Sequence, residues 1–127
     1  MSKTTKKAKA PVQYTLEDAV IESIQDIKGE DIVVIDLLKI QNTATDQLII
    51  CHADNSTQVR AIGHHVIEFV REKTGISPMS KEGFQNAEWI LIDYLNTVVH
   101  IFYQEKRMFY QLEELWSDAA IKKIASN

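Results

Sequence analysis

The sequence predicts an α/β (α+β) protein in which helices pack on a mixed β-sheet. Two stretches before residue 75 repeat apolar side chains at helical spacing. Four other stretches are rich in β-branched or aromatic residues and have the length of strands. Because these helices and strands interleave along the chain, a sheet covered by helices is favoured over an all-α or all-β fold.

The first helix is predicted to follow Thr15. This residue can act as an N-cap, and Asp18 stands three positions later, the spacing of a capping box. The apolar face that follows consists of Leu16, Val20, Ile24 and Ile27. We expect Gly29 to end the helix.

Two strands are predicted next. Residues 32–38 are apolar on both sides apart from Asp36, which is typical of a strand covered on both faces. Residues 41–46 are polar and predict a turn, and a second strand runs over residues 47–53. The two strands are expected to form an antiparallel pair.

The second helix has three N-cap candidates: Asp54, Asn55 and Ser56. Gly75 is expected to end it. Its predicted buried stripe consists of Val59, Ile62, Val66 and Val70. Residues 76–87 then form a connection with room for a short strand.

A hairpin follows, with strands over residues 89–94 and 97–103. Leu95 and Asn96 join them, and asparagine tolerates the positive φ that a tight hairpin turn requires. Along the first strand, side chains alternate between the two faces of the sheet. One face therefore carries Trp89, Leu91 and Asp93, and the other carries Ile90, Ile92 and Tyr94. From residue 104 we expect helix to the end of the chain, with a break near Ser117.

Length and charge predict the domain organisation. The 127 residues fit one domain, over 14–127, preceded by a disordered basic tail over 1–13. The first ten residues hold four lysines and no acid; without those lysines, 10 of the 14 basic residues remain against 18 acidic ones, a formal net charge of −8. Such a body suits a basic protein partner, and no direct nucleic-acid readout is expected.

Cysteine content and hydropathy predict a cytoplasmic location. Cys51 is the single cysteine, so an internal disulfide is excluded. The chain has neither an apolar run of about 20 residues nor the apolar core of a signal peptide, and no membrane association is expected.

Candidate catalytic groups are sparse, and we expect neither metal nor cofactor. The four glycines are too widely spaced for a phosphate-binding loop, and Asp36 lacks the neighbouring acid that nucleotidyl transfer requires. Cys51 lies in an apolar run that would keep its thiol inert. Asp36 and Asp46 are interpreted as structural, whereas Asp93 and His100 are left open, with pairing across the hairpin as one option.

The aromatic content of the last third favours a binding surface over an active site. Tryptophan, tyrosine and arginine bury large areas at modest entropic cost in protein–protein contacts. One helix covers only part of the predicted sheet. We therefore expect an uncovered patch with a charged rim, the patch formed by Trp89, Tyr94, Tyr110 and Leu112 and the rim by Arg107, Glu113 and Glu114.

The chain resembles the ribosomal silencing factor family, also called Iojap-like proteins. The resemblance extends from about Leu16 to Trp116 and depends on the order of several short segments: Lys28–Ile32, Thr45–Cys51, Ser56–Val59, Ala61–Ile62, Glu82–Gly83, Trp89–Tyr94, Val98–Phe102 and Arg107–Trp116. It implies a nucleotidyltransferase-like fold without catalytic residues. It also implies binding of the large ribosomal subunit through ribosomal protein L fourteen, which blocks association with the small subunit and represses translation under nutrient limitation.

The resemblance also implies a set of contact residues around the hairpin and the last helix: Trp89, Tyr94, Arg107, Tyr110, Leu112 and Glu113. Two alternatives stay open. One is a nucleotide-binding or nucleotidyltransferase-like enzyme with weak activity, and the other is a homodimer that hides the aromatic patch.

Overall fold

The computed structural model describes residues 14–125, apart from the side chain of residue 109. The tail proposed for residues 1–13 therefore lies outside the described residues. In chain order the elements are α1 (Leu16–Asp26), β1 (Glu30–Asp36), β2 (Gln47–Ala53), α2 (Ser56–Thr74), β3 (Ser80–Glu82), β4 (Trp89–Asp93), β5 (Thr97–Tyr103), α3 (Gln104–Tyr110), α4 (Leu112–Leu115) and β6 (Ala120–Lys123).

The strands form one six-stranded sheet in the order β3-β4-β5-β2-β1-β6. β2 and β5 are parallel, whereas each other pair of neighbours is antiparallel. A parallel pair needs a long crossover connection, and here α2, β3 and β4 provide it. The mixed sheet and the antiparallel pairing of β1 with β2 confirm the sequence-based predictions.

The first face of the sheet carries α1 and α2. Their apolar stripes pack on alternate residues of the central strands, and the resulting core is buried. The contributing side chains include Val20, Ile24, Val59, Ile62, Val66 and Val70 from the helices and Ile32, Val34, Ile49, Cys51, Ile90, Ile92, Val99 and Ile101 from the strands. The stripes are those that helical periodicity predicts.

Both helix starts are capped by side chains. Thr15 Oγ1 accepts a 3.0 Å hydrogen bond from the Asp18 N–H, and Asn55 Oδ1 accepts one of 2.8 Å from the Gln58 N–H. At the end of α2, Gly75 adopts a left-handed conformation with φ +78°, as expected.

The end of α1 differs in detail from the prediction. Lys28, not Gly29, adopts the left-handed conformation, with φ +63°. The Gly29 N–H donates a 2.9 Å bond to the Ile24 carbonyl, and a Cβ at Gly29 would collide with the Ile24 side chain. Glycine is therefore needed here for close packing on the helix rather than for a special φ angle.

The β4–β5 turn also places its positive φ on an unexpected residue. Leu95, not Asn96, has φ +79°. Asp93 Oδ1 accepts a 2.7 Å bond from the Leu95 N–H, and the Asn96 N–H donates to the Tyr94 carbonyl at 3.0 Å. The Asp93 carboxylate thus supports a conformation that is unusual for leucine.

The predicted helix does begin at residue 104, but its predicted continuation to the end of the chain is wrong. α3 stops at Tyr110, where Gln111 takes a left-handed conformation with φ +48° and starts the short α4. The last described element is β6, which pairs antiparallel with β1 and forms one edge of the sheet. Pairing with an open strand edge overrides local helix preference here.

Candidate protein-binding site

Four rings form a cluster on the second face of the sheet. We call Trp89, His100, Phe102 and Tyr110 the aromatic face. The Trp89 ring centroid lies 5.1 Å from that of Phe102, in a stacked arrangement, and 4.5 Å from that of Tyr110. Offset and tilted contacts of this kind stabilise aromatic clusters beyond their buried area. The cluster joins β4, β5 and α3.

The strand register places three of these rings together. Trp89 lies opposite Phe102 on the neighbouring strand, and His100 lies opposite Leu91. Side chains two apart on a strand share a face, so Trp89, Leu91, His100 and Phe102 all lie on the second face. α3 begins immediately after β5, and its last residue, Tyr110, packs against Trp89.

His100 accepts a hydrogen bond from Trp89. The indole Nε1–H donates to His100 Nδ1 at 2.9 Å. Burial lowers the pKa of His100 to about 4, so its ring is neutral near pH 7. A neutral imidazole that accepts at Nδ1 carries its proton on Nε2. The predicted option of an Asp93–His100 pair is wrong, because Asp93 lies opposite Val98 and caps the turn.

The outer part of this surface is reachable from solvent. Tyr110 is 44 % exposed, and Trp89 and Leu91 are partly exposed. Neighbouring large apolar and aromatic side chains that stay partly exposed are typical of a protein-binding site.

The aromatic face has acidic neighbours. Glu82 lies opposite Leu91 on β3, and Asp93 follows two positions after Leu91 on the same side of β4. The surface therefore combines an apolar centre with carboxylates, which favours a basic partner.

Arg107 is buried, contrary to its predicted position on the rim. It is 8 % exposed, and its guanidinium connects three elements. Nη1 donates to the Asp31 carbonyl at 2.6 Å and lies 3.0 Å from His52 Nδ1. Nε and Nη2 donate to Glu113 Oε2 at 3.2 and 2.8 Å. Arg107 therefore fastens α3 and α4 to β1 and β2, and it does not form part of the exposed surface.

Tyr94 lies on the opposite side of the sheet from Trp89. It is 5 % exposed and belongs to the core beneath α1 and α2. Burial raises the pKa of its phenol to about 12, with a smaller opposing effect of Arg71. The predicted patch containing both residues is wrong, since strand residues five apart point to opposite faces.

The remaining predicted contact residues lie on α4 and its border. Leu112 packs against the second core, which contains Val33, Ile35, Leu37, Leu48, Ile50 and Phe102. Glu113 is partly exposed and binds Arg107. The structure thus brings Trp89, Tyr110 and Leu112 onto one side of the molecule, with Glu113 at the edge.

Sequence reasoning did not identify His100 as part of this cluster. The signal for His100 was present, because strand alternation already places it on the same face as Phe102.

The described part of the chain shows little that suggests chemistry. Among residues 14–125 no group of three or more His, Cys, Asp or Glu side chains is placed to hold a metal ion. Cys51 is fully buried, and burial raises the pKa of its thiol to about 12. Asp36 accepts a bond from the Leu38 N–H and is structural, as expected. None of the described helices has the length and apolar character needed to cross a membrane.

Comparison with known proteins shows which family this chain is similar to. A family model described as "Ribosomal silencing factor during starvation" matches residues 10–127. A ribosomal silencing factor of Bacillus subtilis is 38 % identical over 99 residues, which cover 78 % of this chain and 82 % of that protein. A crystal structure of a Chromobacterium violaceum protein superposes with a TM-score of 0.76 at 31 % identity, covering 80 % of this chain and 83 % of that one.

A more distant relative comes from mouse. The protein named "Mitochondrial assembly of ribosomal large subunit protein 1" is 26 % identical over 102 residues, which cover 79 % of this chain and 44 % of that protein. The family model spans nearly the whole chain, and the bacterial relatives match over most of their own length. The chain therefore belongs to the ribosomal silencing factor family.

Proposed function

We propose that this protein binds the large ribosomal subunit through ribosomal protein L fourteen, using the aromatic face. The bound protein blocks association with the small subunit and so represses translation under nutrient limitation. In this proposal the protein acts by occupancy in the cytoplasm, and no catalytic step is required.

The observation that supports a binding role most directly is the composition of the aromatic face. Trp89 and Tyr110 contact each other at a ring distance of 4.5 Å while Tyr110 remains 44 % exposed. Tryptophan and tyrosine are enriched among residues that dominate binding energy. Large rings that are already packed on one side lose little freedom when a partner covers the other side.

Charge supports a ribosomal protein as the partner. Beyond the first ten residues the chain has a formal net charge of −8. Glu82 and Asp93 lie beside the aromatic face on the same side of the sheet. An acidic surface associates faster with a basic protein than with a neutral one and is repelled by exposed RNA phosphates. Association should therefore slow as salt is added.

The relatives support the ribosome as the site of action. The bacterial relatives are named ribosomal silencing factors, and the name of the mouse relative refers to assembly of the large ribosomal subunit. Neither name specifies a contact residue, so the assignment of the aromatic face rests on the geometry described above.

Cosedimentation with separated ribosomal subunits tests the proposal. We expect the parent protein to sediment with large subunits and not with small subunits. Trp89→Ala should lose at least tenfold in affinity, because truncation of a central aromatic residue commonly costs about 2 kcal/mol or more. Phe69→Ala is the matched control. Phe69 is also a partly buried ring, but it lies on α2 and packs against the core on the first face of the sheet. Equal binding by the parent and Trp89→Ala would exclude the aromatic face.

A second measurement tests the partner within the subunit. Purified ribosomal protein L fourteen should bind the parent protein and compete with large subunits for it. Binding to large subunits that is unaffected by an excess of this protein would contradict the partner assignment while leaving large-subunit binding intact.

A further inference from the structure

We propose that His100 is a positioning residue that fixes the indole of Trp89 in the orientation required for partner binding. The inference rests on the proposed function of the aromatic face and extends it to a residue that is itself almost inaccessible. His100 is 7 % exposed, so it contributes through Trp89 rather than through direct contact.

The surroundings of His100 give little other reason for a polar ring. Its neighbours include Phe102, whose ring lies 6.2 Å away and nearly parallel, at 11°. An apolar side chain would fill such a site without the desolvation cost of an imidazole. The hydrogen bond with the Trp89 indole, at 2.9 Å, compensates that cost.

The hydrogen bond selects one orientation of the indole. Stacking on Phe102 holds the ring roughly parallel, at 25°, but stacking alone does not distinguish an indole from its flipped form. A single acceptor placed beside Nε1 does distinguish them, since the flipped ring would direct a C–H edge at His100. The exposed part of the Trp89 ring is then presented to a partner in one predetermined position.

Preorganisation of this kind affects affinity rather than folding alone. A partner that binds a mobile tryptophan must immobilise it, and this cost corresponds to about a threefold to tenfold change in affinity. Loss of the acceptor should therefore weaken binding by about that factor. Replacement of the acceptor by another group at the same position should restore it.

The test uses two variants in cosedimentation with purified bacterial large ribosomal subunits. His100→Leu removes the acceptor and keeps an apolar side chain of similar size. His100→Asn keeps an oxygen near the position of Nδ1. We expect His100→Leu to bind about threefold to tenfold more weakly than the parent and His100→Asn to bind within about twofold of it.

A double-mutant cycle separates positioning from a general structural effect. In a Trp89→Phe background the ring has no N–H to orient, so His100→Leu should cause no further loss. An equal loss in both backgrounds would overturn the inference, as would parent-like binding by His100→Leu when Trp89→Ala fails to bind. Parent-like binding by Trp89→Ala would instead overturn the proposed surface and this inference with it.

A measurement on the parent protein covers the case in which His100→Leu does not fold. The indole N–H of Trp89 should exchange with solvent more slowly in NMR spectra than that of Trp116. Trp116 is a suitable reference because it is also partly exposed, and the part of the chain that the structure describes provides no acceptor for its indole. Equally fast exchange of both indoles would overturn the inference.

Discussion

Arg107→Met should destabilise the protein substantially, although Arg107 lies on a helix that the sequence presents as charged and exposed. Methionine keeps much of the apolar stem and removes the guanidinium. The guanidinium makes two bonds to Glu113, one to the Asp31 carbonyl and one close contact with His52. Its removal leaves the Glu113 carboxylate and the Asp31 carbonyl without these partners.

The expected magnitude follows from burial. Removal of one partner from a buried ion pair typically costs about 3–5 kcal/mol. The Glu113 side chain is 32 % exposed, so water can solvate part of its charge and the lower end of that range applies. We expect a loss of about 3 kcal/mol, which for a chain of this size lowers Tm by about 10 °C.

Urea unfolding of Arg107→Met and Lys106→Met, followed by circular dichroism, measures this effect. Lys106 is the neighbouring residue, is more exposed, and lies 3.9 Å from Glu88. Its replacement should change stability by less than about 0.5 kcal/mol. If both variants lose the same small amount, Arg107 does not fasten α3 and α4 to the sheet. The same geometry makes Glu113→Arg unsuitable as a surface variant, since it would place two guanidinium groups together.

Three further predictions concern two buried side chains and one glycine. The pKa of Cys51 is raised to about 12 by burial, so its thiol should react with a disulfide reagent only after unfolding; full labelling of the native protein would contradict this. The pKa of His100 is lowered from 6.5 to about 4, so the unfolded chain binds a proton at a higher pH than the native state does. The free energy of unfolding should reach its full value above about pH 6.5 and fall by about 3 kcal/mol as the pH decreases to 4. The urea midpoint of His100→Asn should change less over this range. Gly83→Ala should cost at least about 2 kcal/mol more in free energy of unfolding than Gly75→Ala. Both glycines have a positive φ, but only a Cβ at Gly83 would collide with a backbone carbonyl, that of Trp89. Equal losses in urea unfolding would refute the steric argument.

Most of the fold could be predicted because periodicity and capping agree between residues 14 and 103. The α2 stripe, its Asn55 cap and its end at Gly75 all follow from local chemistry. The long apolar run of β1 correctly indicated a strand covered on both faces. In each case the signal that defines the element lies within the element itself.

The errors arise where the signal lies elsewhere in the chain. β6 is short and exposed along its length, and it is a strand because β1 offers it a free edge. Arg107 is charged, which normally indicates exposure, but its partners lie on β1, β2 and α4. The left-handed conformation at Gln111, which separates α3 from α4, occurs without a glycine that would announce it.

The types of residue in the candidate site could be predicted from the sequence, but the exact set of residues could not. Trp89 and Tyr110 were correctly expected to lie together, whereas Tyr94 was excluded by strand alternation that the sequence already displayed. The assignment of the surface to a ribosomal partner stays a proposal that binding experiments must test.

Light scattering during subunit joining tests the central proposal most directly. Purified large and small subunits are mixed at a magnesium concentration that supports association, with increasing amounts of the parent protein or of Trp89→Ala. We predict that the parent protein reduces the amplitude of the association signal in proportion to the fraction of large subunits bound, and that Trp89→Ala has little effect. An undiminished association signal with large subunits saturated by the parent protein would contradict the account.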